Sequence, residues 1–188
     1  QTLVGGFRPP EDWPYTEQAL EEVEAFDLNE DPGLQCVPYP MPRITRWPYS
    51  QHWEISENTI TITHEQSSTR VLNKTKDLSI PPAHIPDQNG YSVAHLNDNG
   101  DLVVTTRGFV ETKWGSERGV SSSSSKVVTE IYRLVDGGYG LELEYTITDP
   151  DYLRESVQLG RNFRLIPNYQ FTNEPCNIEA ARRHLQFD

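Results

Sequence analysis

The sequence predicts an all-β protein, an antiparallel up-and-down β-barrel of about eight to nine strands with one short N-terminal helix. Two observations carry that expectation. After Asp31, apolar residues recur with period two in short runs separated by Asx-Gly and Gly-Gly turns, which is the pattern of hairpins. No helical crossover lies between these runs, so consecutive strands should pair antiparallel. A meander of this size leaves two exposed edges unless it closes, and closure into a barrel removes them.

The elements follow in chain order. Residues 1–15 hold Gly5-Gly6, Pro9-Pro10, Trp13 and Tyr15, and read as an extended arm. Thr16 can cap a helix from Glu17 to Phe26, with Glu17 in the first turn, where the helix dipole favours an anion. Leu20, Val23 and Phe26 give that helix an apolar stripe, and its other face is acidic. The strand runs then begin with "HWEIS". "TITITHE" (Thr59–Glu65) places Ile60, Ile62 and His64 on one face, and "TRVLN", "YSVAHLN" and "DLVVTTRG" come next. "KVVTEIYRLV" (Lys126–Val135) precedes an Asp-Gly-Gly turn. "YGLELEYTITD" follows with Leu141, Leu143, Tyr145 and Ile147 on one face, and "SVQLGRNFRLI" closes the series. Two segments interrupt it: Asp77–Gly90, rich in proline, and Val110–Lys126, with Trp114 and five consecutive serines. Exactly one turn separates them in a meander, so both should lie on one rim as lids over the barrel entrance, the serine run mobile and Trp114 a plug.

At 188 residues the chain is expected to form a single domain: arm and acidic helix over 1–31, barrel over 32–177, tail over 178–188. The net charge of −12 argues against a nucleic-acid partner, because neutralising phosphates needs a basic surface. Nine carboxylates and no Lys or Arg lie between Glu11 and Asp31, which reads as a solvated face; no EF-hand loop pattern accompanies them. No apolar run approaches the roughly 18–20 residues of a membrane span. Cys36 precedes the first strand and Cys176 follows the last. In a closed sheet these ends are neighbours, so a disulfide between them is expected, with two buried thiols as the alternative. Such a bridge implies an oxidising compartment. Together with a first residue, Gln1, that is not Met, it points to an exported protein, periplasmic or secreted.

An ordered series of motifs adds to this. It comprises C-x-P-x-x-x-P-R (Cys36–Arg43), His64-Glu65 followed by Arg70, "GYS" (Gly90–Ser92), "GDLVVTTRGF" (Gly100–Phe109) and Trp114. It continues through "VVTEIYR" (Val127–Arg133) and "LEYTITDPDY" (Leu143–Tyr152) to "EPC" ending at Cys176. From Pro32 to Asn177 the series resembles a large family of exported bacterial proteins of unassigned function, which look lipocalin-like. The chain departs from that pattern at Leu96–Asn99, where the family usually has a Trp, and at the serine run, where it has a His. The resemblance implies a lipocalin-like barrel and export, and no activity.

No catalytic signature is present: there is no G-x-S-x-G, H-E-x-x-H, C-x-x-C or P-loop. The histidines at 52, 64, 84, 95 and 184 show no ligand spacing, so neither a metal nor a cofactor is expected. Polar residues set into apolar strands are the candidates. His64, His95, Glu130 and Tyr145 could supply acid–base chemistry from the lumen if burial shifts their pKa values. Arg43, Arg70 and Arg107 near strand ends could clamp a carboxylate. Tyr91, Tyr132 and the tryptophans Trp47 and Trp114 could line or stack on a ligand; for Trp47, Trp53 and Trp114 core packing is the simpler role.

Three functions remain open. The first is a lipocalin-like binding module holding a small hydrophobic or aromatic molecule in its lumen. The second is a cofactor-independent isomerase, cyclase or lyase of the same fold, using the lumen His, Glu and Tyr groups. The third is a structural or interaction protein with a filled barrel.

Overall fold

The structure, a computed structural model, describes residues 9–65, 67–172 and 174–183. Helix α1 spans Glu17–Glu24. Ten strands follow: β1 (Gln51–Ile55), β2 (Thr59–His64), β3 (Thr69–Lys74), β4 (Tyr91–Leu96), β5 (Leu102–Arg107), β6 (Thr112–Glu117), β7 (Val120–Ser122), β8 (Val127–Val135), β9 (Gly140–Thr148) and β10 (Val157–Arg164). A four-residue helix, α2 (Ile178–Ala181), comes last. Eight strands form one curled sheet in the order β1-β2-β3-β4-β5-β8-β9-β10, and β6-β7 is a separate hairpin. The protein is all-β, as expected, but the sheet is a half-barrel.

Two features differ from a closed antiparallel meander. First, β3 and β4 run parallel, with Leu72 opposite Ser92 and Asn73 opposite Val93. The segment between them carries Pro81, Pro82 and Pro86, and instead of turning at one rim it travels back along the sheet. Parallel neighbours need such a return. Thr75 N–H then bonds the Ala94 carbonyl at 3.0 Å, and Asn73 Nδ2 the Ser92 carbonyl at 3.0 Å.

Second, β1 and β10 do not pair with each other and remain the two edges. Other groups span the seam. Arg161 Nη1 donates to the Thr45 carbonyl at 2.6 Å and to the Trp47 carbonyl. After β10 the chain returns along the seam. Leu165 N–H is held by the Tyr139 carbonyl at one end of the sheet, and Thr172 N–H and Tyr169 Oη donate to Glu65 at the other, both at 2.8 Å. The edges are thus covered by irregular chain rather than removed by closure.

One face of the eight-stranded sheet lines the concavity. Ile60 and Ile62 of β2, Leu72 of β3, Val104 of β5, and Leu143 and Ile147 of β9 are all buried in one cluster. Each such side chain contributes about 1.5–3 kcal/mol. The half-barrel has two unlike ends. At one, the turns near Ser56, Asn97–Gly100 and Asp136–Gly138 leave the concavity open. The other is filled by the chain before β1 and by the β6-β7 hairpin, where Met41, Ile44, Phe109 and Val128 form a second apolar cluster.

Helix α1 packs against β7 at the filled end. Thr16 caps it as predicted, its Oγ1 accepting from Ala19 N–H at 3.3 Å. The buried stripe is displaced from the expected one. Ala19 is fully buried and Val23 packs on the core, but Leu20 is exposed. Glu22, from the acidic face, accepts from Ser121 N–H at 2.8 Å.

Cys36 and Cys176, 140 residues apart, form a disulfide. It holds α2 against the 3-10 turn Pro32–Gln35 at the outside of the filled end. The bridge fits an oxidising environment. Among the described residues no helix is long and apolar enough to cross a membrane.

Candidate functional site

The open end of the half-barrel holds a cleft of about 1220 Å³. Its wall is apolar and aromatic: Trp53 from β1, Ile60 from β2, Ala94 from β4, Leu102 from β5, Leu141 from β9 and Phe163 from β10. The period-two alternation of these strands sends such residues inward, and the curl of the sheet makes them converge. Trp53 meets the Tyr132 ring edge-on, with centroids 5.0 Å apart. Around the mouth stand large apolar side chains that face water, among them Ile55, Leu96, Leu134 and Ile166. They gather at strand ends of this one end.

Tyr132 forms the join between the cleft and a buried polar layer beneath it. Its ring lines the cleft, and its hydroxyl donates to Glu130 Oε1 at 2.7 Å. Arg70 grips the same carboxylate with both terminal nitrogens, Nη1 to Oε1 at 2.9 Å and Nη2 to Oε2 at 2.7 Å. Nη2 also reaches Ser92 Oγ and Thr106 Oγ1, each at 3.1 Å, and Nη1 lies 3.2 Å from Met41 Sδ. Arg70 and Glu130 are almost wholly excluded from water. Burial alone would lower the Arg70 pKa; the Glu130 carboxylate reverses that and raises it. Burial, and then the Glu130 charge, push Tyr132 well above the ordinary phenol value.

His64 lies in the same inner layer, its Nδ1 3.2 Å from the Ser68 carbonyl. Burial, reinforced by the charge of Arg70, lowers its pKa to about 4, so it is neutral at pH 7. Tyr145 is buried on the inner face of β9, its pKa raised to about 12, chiefly by burial. His64, Glu130, Tyr132, Tyr145 and Arg70 therefore all point inward, but of these only Tyr132 borders the cleft. The Glu130 carboxylate is already saturated by Arg70 and Tyr132.

Of the remaining candidates His95 also lines the cleft, and the others lie elsewhere. His95 and Tyr91 occupy the face of β4 opposite Ser92 and Ala94; Tyr91 packs edge-on against His84 at 5.4 Å. The alternation of "YSVAHLN" admits either face, and the pull of Ser92 into the Arg70 layer selects this one. Arg43 belongs to the filled end. Its Nη2 donates to Asp31 Oδ2 at 2.6 Å, Arg118 Nε reaches the same oxygen at 3.0 Å, and its guanidinium lies 4.4 Å above the Tyr39 ring. Trp47 stacks on Tyr39 at 4.6 Å. Arg107 donates to the Leu78 carbonyl. The arginines expected to form one clamp thus each hold a different partner. His184 lies outside the described residues.

Val110–Lys126 is not a mobile lid. It forms the β6-β7 hairpin at the filled end, away from the cleft. Trp114 is buried there, stacked on Phe26 at 5.3 Å. Gly119, at φ 75°, makes its turn, and at Gly115 a Cβ would collide with the Ser122 hydroxyl. The first three serines of the run are buried and the last two exposed; Asp149 accepts from Ser123 N–H at 2.8 Å and Ser123 Oγ at 2.7 Å. Asp77–Gly90 touches the hairpin side, with His84 Nε2 3.2 Å from the Gly108 carbonyl. The two segments do meet, but not over the entrance, because the parallel β3-β4 pair breaks the alternation of ends.

Sequence reasoning missed Lys126, which is 1% exposed. Its Nζ donates to the Met41 carbonyl at 2.6 Å and to Ser122 Oγ at 2.9 Å, and burial lowers its pKa to about 7. No local signal marks its burial, since Met41 and Phe109, which cover it, come from distant parts of the chain. The cleft's cations, Lys74, Lys76 and Arg164, were missed for the same reason. Family models, curated proteins and solved structures were compared with the chain, and none of them matches it.

Proposed function

We propose that this protein binds a small hydrophobic or aromatic molecule in the cleft at the open end of its half-barrel, in the manner of a lipocalin-like binding module acting after export. One observation carries the reading: a cleft of about 1220 Å³ walled by inward apolar side chains and rimmed by exposed ones. Sites for small molecules are built this way, as concave apolar surfaces with few polar groups. The exposed rim supports it too, because water-facing Leu and Ile gathered around one opening lose unfavourable hydration when a ligand or its tail covers them. An acid–base enzyme draws less support. Its base would have to be Glu130, which Arg70 holds bidentately beneath the cleft floor, His64, which does not border the cleft, or His95, which lines the cleft with no carboxylate among the described lining residues to orient it.

Titration with the uncharged fluorophore N-phenyl-1-naphthylamine tests the reading. Saturable enhancement is expected for the native protein. Ala94→Phe, which narrows the cleft, should weaken it about ten-fold, and Phe163→Ala should alter it without loss of the thermal transition. No saturable binding, or equal binding by the folded Ala94→Phe variant, would sink the proposal.

A further inference from the structure

The charges around the cleft are unlike those of the rest of the molecule. The chain carries 28 Asp and Glu against 16 Lys and Arg. Yet none of the described residues lining the cleft is a carboxylate, whereas Lys74, Lys76 and Arg164 all line it. The carboxylates nearest in sequence sit in turns and loops (Glu57, Asp77, Asp98, Asp101, Asp136) or on the outer faces of strands (Glu54, Glu142), outside the lining; Asp77 accepts from Ser79 N–H and Asp101 pairs with Arg133. Lys74 Nζ is engaged with the Ser56 carbonyl. Lys76 and Arg164 have no ion pair or side-chain hydrogen bond among the described residues. They approach the mouth from the two sides of the seam, Lys76 just past β3 and Arg164 at the end of β10.

An acidic protein whose described residues place no carboxylate in one apolar cleft and pair with neither of two cations at its mouth presents a complementary surface for an anion. The apolar wall lies inside the cationic rim. We infer that the ligand is an organic anion: an apolar or aromatic body that enters the cleft, carrying one acidic group that stays at the mouth beside Lys76 and Arg164. This inference rests on the proposed binding role of the cleft and narrows its ligand class. An acidic head at the rim keeps its partial hydration while gaining charge-assisted hydrogen bonds, so neither partner has to be buried as a bare ion.

The test compares 11-(dansylamino)undecanoic acid with its uncharged methyl ester, in the native protein and in Lys76→Ala/Arg164→Ala. Exposed charge pairs are worth a modest factor, so the acid should bind about three- to ten-fold more tightly than the ester. The advantage should shrink in high salt and vanish in the double variant, where the acid then binds no more tightly than the ester. Equal affinities in the native protein, or an acid preference that survives the double substitution, would overturn the inference while leaving the cleft as a binding site. If neither probe binds, or if Ala94→Phe leaves both bound, the cleft reading fails and this inference fails with it.

Discussion

The two ends of the half-barrel solve opposite problems with the same strands. At the filled end, inward positions carry charge, and every charge is answered: Arg70 by Glu130, Arg43 and Arg118 by Asp31, Lys126 by a carbonyl and a hydroxyl. At the open end, inward positions are mostly apolar and aromatic and face a cleft. Filling an end with buried ion pairs fixes one arrangement of the chain, because every partner must be in place at once. Leaving the other end apolar and open keeps a concave surface that the chain itself does not fill. Stability and binding should therefore separate along the barrel axis, and that separation can be attacked from either end.

The largest effect is expected from the Cys36–Cys176 bridge. In the chain-entropy model a loop of 140 residues is worth about 4–5 kcal/mol. Reduction should lower the melting temperature sharply while the folded fraction still binds N-phenyl-1-naphthylamine. Unchanged melting after verified reduction would contradict this.

Next, Glu130→Gln removes the charge that answers Arg70. Breaking one partner of a buried pair costs about 3–5 kcal/mol, measurable by urea unfolding. Arg70→Met combined with Glu130→Leu should cost less than Glu130→Gln alone, because no unpaired charge remains. A double variant as weak as the single would show that packing, not charge, governs this layer.

Lys126 gives a pH signature. Its folded pKa of about 7 lies below the unfolded value of about 10.4, so the unfolded chain binds the extra proton between them. Stability should rise with pH across that window, and Lys126→Met should flatten the rise. His64 has the same sense in acid: stability is lost as pH falls from about 6.5 toward about 4. The smallest effect belongs to the rim. Leu134 is 72% exposed, so Leu134→Ser should change stability by no more than about 0.5 kcal/mol yet weaken probe binding.

The same contrast governs what could be read from the sequence. Strand identities, the Thr16 cap and the Cys36–Cys176 pairing follow from local pattern or simple chain logic, and they are present. Inner faces were legible where one side of a strand was clearly polar, as in Thr59–Glu65. In Val127–Val135 both faces are apolar, and only the pairing of Glu130 with Arg70 decides the matter. The serine run reads locally as a linker; the hydroxyls of Ser122 and Ser123 are structural because Lys126 folds back on one and Asp149 comes from a distant part of the chain to meet the other. The parallel β3-β4 pair left no period to detect, since proline-rich chain between two strands fits either a rim loop or a return. The cationic mouth was equally hidden, because Lys76 and Arg164 come to line one cleft only when the sheet curls.

That return segment makes the chain divisible. Leu78–Pro82 and Ile85–Asp87 are exposed, as insertion and cleavage sites usually are. A cut there would fall between two pieces that each carry half of the disulfide, Cys36 in the first and Cys176 in the second. The pieces would stay one covalent molecule, with the β3-β4 hydrogen bonds as the joint between them. Joined ends elsewhere and a new start inside this segment would give a permuted chain with every strand pair intact.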